Sequence, residues 1–114
     1  MAGRVAHFNE LVPSSALFID TALPGYARTI WSIIGQNVGE DRNVRPAIPP
    51  DGFHLAVIEA EPGNGSALHT HTTVEVFMAL TGTWQVTYGD AGESEVTLEQ
   101  WDVCSVPPGV WRGF

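Results

Sequence analysis

The chain has 114 residues and a net charge of −8, its five basic residues all being arginine. That length makes one domain with a single modest core. So acidic a chain is repelled by phosphate backbones and anionic membranes, which excludes nucleic acid and lipid as expected partners. The single cysteine, Cys104, excludes an internal disulfide framework, and its apolar setting VCSV predicts an inert, buried thiol. No N-terminal stretch resembles a signal peptide, and no apolar run approaches the ~20 residues of a membrane span, so the expected location is cytoplasmic.

Residues 1–50 read as N-terminal strands with an irregular arm. A short strand is expected around Ala16–Ile19 and a second around Arg28–Ile34. The segment NVGEDRNVRPAIPPDG is a polar, proline-bearing connection with turn signals at Pro49–Gly52. From residue 51 to 114 the pattern is dense and β-like. FHLAVIEA (53–60), VEVFMAL (74–80), TWQVTY (83–88), SEVTL (94–98) and DVCSV (102–106) are expected strands, punctuated by EPGNG, TG, GDAG and PPG. The stretch from Tyr88 to Glu93 suits a hairpin turn between two alternating strands. No long 3.6-residue period competes for helix. Short strands spaced by turns predict an all-β sandwich or barrel.

Chemistry concentrates in one run, Gly63 to Gly82, GNGSALHTHTTVEVFMALTG. Residues i and i+2 of a strand project from one face, so His69 and His71 aim at one point. Thr72 and Thr73 permit a turn, after which Glu75 lies near the start of the next strand, level with the histidines if the two strands pair as neighbours. Glu75, Phe77 and Ala79 share one face of that strand, and Val74, Val76, Met78 and Leu80 take the other. Both faces being apolar, the strand is expected to be covered on both sides. A carboxylate at the mouth of such a strand requires a partner, because an unpaired buried charge is costly. Two neutral imidazoles and a carboxylate suit one divalent transition metal: Fe, Mn, Ni, Cu or Zn.

The spacing G-x5-H-x-H-x3-E-x6-G, carried by Gly63, His69, His71, Glu75 and Gly82, resembles in full the first motif of the cupin superfamily. The second cupin motif, G-x5-P-x-G-x2-H-x3-N, is similar to WDVCSVPPGVWRGF, with Pro107 and Gly109 in place. There Trp101 stands for the opening glycine, Arg112 stands for the histidine, and the asparagine position falls beyond Phe114. The resemblance covers about Phe53 to Phe114 and implies a double-stranded β-helix, the jelly-roll cupin barrel. It also implies a metal held inside the barrel by His69, His71 and Glu75. Oxygen-dependent oxidation is the commonest chemistry it suggests, with isomerase and lyase activity behind it. A non-catalytic cupin that binds a small molecule or metal is the alternative.

Arg112 separates two arrangements. A guanidinium stays protonated and has no lone pair for a metal. Either the three remaining donors bind the ion while Arg112 receives an anionic group of a small organic substrate, or Arg112 itself pairs with Glu75 in a metal-free pocket. His54, alternating with Ala56 and Ile58, is a candidate lining residue or replacement ligand, against a structural histidine. Phe77 and Trp84 are candidate pocket walls, against plain core. A jelly roll extends the strand begun at Val110 beyond Phe114. The barrel is therefore expected to be incomplete in this sequence, or closed by the N-terminal residues or a second subunit, with a homodimer as the expected assembly.

Overall fold

In the computed structural model, which describes residues 1–36 and 44–114, the protein is all-β. Seven strands and two 3-10 turns (Phe8–Glu10 and Ile19–Ala22) appear, with no α-helix among the described residues. Among the described residues the strands form three separate sheets, two of two strands and one of three. No helix of the described residues is long and apolar enough to cross a membrane. Much of the expected polar connection, residues 37–43, lies outside the described residues. The chain divides into two compact units, residues 1–65 and 66–114, so residues 51–65 group with the N-terminal half.

In the first unit, β1 (Thr29–Ile34) pairs antiparallel with β2 (Leu55–Glu59), from Thr29 opposite Glu59 to Ile34 opposite Leu55, with an irregularity between Ser32 and Ile34. Ile30 on β1 is almost fully buried, and Leu17, Val44 and Ile48 are buried as well. The strand expected around Ala16–Ile19 does not form. Only Ser14 bridges Ile30, by two backbone hydrogen bonds of 2.9 Å, and the chain then coils into the turn Ile19–Ala22. Polar side chains decide this. Thr21 Oγ1 donates to the Phe18 carbonyl at 2.6 Å, and Asp20 accepts from buried Arg28 at 3.0 Å. These local bonds offer the backbone an alternative to a ladder.

In the second unit, β3 (Glu75–Met78) pairs antiparallel with β6 (Val103–Val106). A three-stranded sheet runs β5 (Ser94–Leu98), β4 (Trp84–Tyr88), β7 (Arg112–Gly113). Side-chain alternation sends Ala79, Val86 and Leu98 into a core against which Phe77, Trp84, Cys104 and Phe114 pack. Cys104 is thus half-buried rather than fully enclosed. The opposite face of β3 corrects an expectation. Val74, Val76, Met78 and Leu80 are all exposed, Val76 by 58%. Only one face of this strand meets the core, and the other carries a bare apolar stripe.

Candidate metal centre

Two backbone connections assemble the site. His69 and Arg112 exchange reciprocal N–H to carbonyl bonds of 2.8 Å, and the Gly109 N–H donates to the His71 carbonyl at 2.8 Å. Glu75 opens β3 opposite Val106, one residue before the Pro107–Gly109 turn. Gly109 has φ +79, the left-handed region that a side chain disfavours. The turn thereby returns the chain so that Arg112 lies behind Glu75.

The side chains converge on one atom, Oε2 of Glu75. His69 Nε2 and His71 Nε2 each lie 3.6 Å from it, and Arg112 Nε lies 3.4 Å from it. These are charge contacts, longer than good hydrogen bonds. The two imidazoles meet edge to face, centroids 4.8 Å apart at 78°. His69 Nδ1 lies 2.8 Å from the Ala67 carbonyl, an acceptor that only a protonated Nδ1 can satisfy. In the neutral ring this leaves the Nε2 lone pair facing Glu75, the tautomer a metal-ligating histidine needs.

Burial grades the set. Arg112 is 0% exposed, and the side chains of Glu75, His69 and His71 are 29%, 33% and 46% exposed. Arg112 Nη2 donates to the Pro107 carbonyl at 3.0 Å and more weakly to Val106 at 3.5 Å. Its Nε and Nη1, like Glu75 Oε2, are buried without a hydrogen bond. Arg112 therefore offers no solvent-facing donor to an incoming ligand.

Titration follows from this packing. The facing Glu75 carboxylate and the Ala67 carbonyl raise His69 above its usual value, against burial and the Arg112 charge. Burial lowers His71, against the Glu75 charge and helped by those of His69 and Arg112. Burial pushes the Glu75 carboxyl up, but the contact with His69 and the charges of both histidines and Arg112 outweigh it and hold Glu75 below its usual value. Glu75 is thus an anion near neutrality.

The donor set could hold a metal ion. Two imidazole nitrogens and a carboxylate oxygen lie within 4.8 Å of one another. Adjacent ligands around an ion with bonds of about 2.1 Å stand about 3.0–3.4 Å apart, so the 3.6 Å edges to Glu75 need only a small contraction. Glu75 Oε2 is buried without a hydrogen bond, its nearest cation being Arg112 Nε at 3.4 Å, so its lone pairs are open to a metal.

The remaining candidates fall elsewhere. Phe77 and Trp84 both pack on Phe114, with centroids 5.5 and 6.0 Å apart, and the Trp84 indole donates to the Thr81 carbonyl at 2.8 Å. They are core members here. His54 belongs to the first unit, exposed, its ring against Gly35. Sequence reasoning did not find the carbonyls of Ala67, Val106 and Pro107, which orient His69 and Arg112. Backbone acceptors leave no signature in residue identity. No family model, curated protein or solved structure matches the chain.

Proposed function

We propose that the chain is a small cupin-type jelly-roll protein in which His69, His71 and Glu75 hold one divalent transition metal: Fe, Mn, Ni, Cu or Zn. The reading continues to an oxygenase-like oxidoreductase acting on a small organic, carboxylate-bearing substrate. The supporting observation is the buried Glu75 Oε2, without a hydrogen bond and 3.6 Å from the Nε2 atoms of both histidines. The oxidoreductase class rests on the motif resemblance alone.

When bound, such an ion supplies Lewis acidity and, if redox-active, electron exchange with dioxygen. The protein residues have separate tasks. His69 is fixed in tautomer by Ala67, Glu75 is kept ionised by its cationic neighbours, and Arg112 carries a fixed positive charge behind the carboxylate. Substrate approaches from the side of His71, the most exposed member. The reading includes a cytoplasmic homodimer. The bare stripe of Val74, Val76, Met78 and Leu80 supports self-association, since contiguous exposed apolar patches mark interaction surfaces.

A metal-free binding module is the second reading, favoured by the 3.4 Å contact of Arg112 with Glu75, which supplies a cation without a metal. Metal analysis of protein purified without added metal separates the two. Stoichiometric metal that disappears in His69→Ala and Glu75→Ala is expected, and its absence from the native protein sinks the metalloenzyme reading. Oxygen uptake against small carboxylates and phenols then distinguishes an oxygenase from a binder.

A further inference from the structure

The two arrangements above treat Arg112 either as a substrate anchor or as a replacement for the metal. Its burial points to a third role. Resting on the metal-centre reading, we propose that Arg112 is a fixed internal cation that makes metal binding depend on a small carboxylate, so that the ion and an anionic ligand load together.

Glu75 contributes one negative charge and Arg112 one positive, 3.4 Å apart, and the two histidines are neutral when they act as ligands. This pair cancels itself, so a dication entering the site brings two uncompensated positive charges into a partly buried cluster. A neutral residue at position 112 would leave only one. Like charges a few ångströms apart repel strongly where water is sparse. The repulsion cannot be relieved by swinging Arg112 away. Its guanidinium is 0% exposed, Nη2 is tied to the Pro107 carbonyl, and its backbone is bonded both ways to His69.

A bound anion provides the relief. It does not touch Arg112, whose Nε and Nη1 have no exposed surface. It comes to the accessible side, where the His69 and His71 side chains are 33% and 46% exposed. Arg112 therefore acts through its field, as a positioning residue that favours ionised over neutral substrates.

The test is Co2+ binding to the full chain, followed by visible absorption and calorimetry in perchlorate buffer, with and without formate. Formate is expected to tighten Co2+ binding by about tenfold or more, while neutral formamide leaves it unchanged. Arg112→Met is expected to bind Co2+ more tightly in perchlorate and to respond less than about twofold to formate, whereas Arg112→Lys keeps the response. Stoichiometric Co2+ binding that formate does not alter in the wild type overturns the proposal, and this arm needs no variant to fold. An undiminished formate response in Arg112→Met overturns it as well. Absence of Co2+ binding under every condition, unaffected by His69→Ala, overturns the metal centre itself and this inference with it.

Discussion

Replacing Glu75 by glutamine removes the negative charge from the most asymmetric ion pair among the described residues. Arg112 is 0% exposed and Glu75 29%, their charged atoms 3.4 Å apart. Coulomb's law at an effective dielectric constant of about 20 gives roughly 5 kcal/mol for that separation, an upper bound. Partial solvation of Glu75 and the surviving bond from Arg112 to Pro107 reduce the expected loss to about 2–3 kcal/mol, at the low edge of what breaking a buried pair costs. Arg112→Met should cost less. It leaves a carboxylate that reaches water and two histidines, while methionine keeps most of the packing volume. Urea denaturation of EDTA-treated protein measures both. For Glu75→Gln a drop of roughly 10 °C in Tm is the thermal counterpart. Equal stability of Glu75→Gln and wild type, or a greater loss in Arg112→Met, would refute the view that Glu75 compensates a stranded guanidinium.

Other expectations concern the histidines and two surfaces. His69→Ala and His71→Ala should each weaken divalent-metal binding by about 100-fold, read by Co2+ titration. In metal-free protein the raised His69 adds stability that is complete below pH 6.5 and disappears as pH rises through its folded value. The stability lost in His69→Gln should therefore be greater at pH 5.5 than at pH 8.5, by urea midpoint. The lowered His71 works in the opposite sense, its contribution being complete above pH 6.5 and lost as pH falls. Gly35, at φ +148, has the His54 ring where a Cβ would stand. Gly35→Ala should cost about 1–3 kcal/mol, and His54→Ala in the same chain should recover the steric part while the backbone strain remains. Val76→Lys should convert a dimer to monomer in sedimentation without lowering monomer stability, and an unchanged sedimentation coefficient removes the apolar stripe from the interface.

Strand positions were legible because alternation and turn residues act locally. The expected strands from 28–34 through 102–106 each contain an observed strand, with no end trimmed by more than two residues. The apolar residues around Ala16–Ile19 suit a strand, whereas their structure is set by Asp20 pairing with Arg28 and by Thr21 bonding to Phe18. At the site, the spacing of His69, His71 and Glu75 carried the cluster, since two short segments and one turn suffice to bring them together. The burial of Arg112 was illegible. Arginine is ordinarily a surface residue, and its enclosure depends on the chain folding back onto the Val106 and Pro107 carbonyls and on Glu75 arriving from β3. The open outer face of β3 escaped for a related reason. Apolar residues on both sides of a strand specify what ought to be covered, but not whether anything in the same chain covers it.

The reciprocal backbone bonds between His69 and Arg112 also give the site its own clock. Each amide is shielded only while the other segment is docked, so both should exchange with deuterium at a common opening rate. One ligand and the buried cation thus leave together whenever that short bridge separates. Departure of a bound ion would follow the kinetics of this backbone opening, and a slow off-rate would be a property of main-chain hydrogen bonds as much as of the ligands.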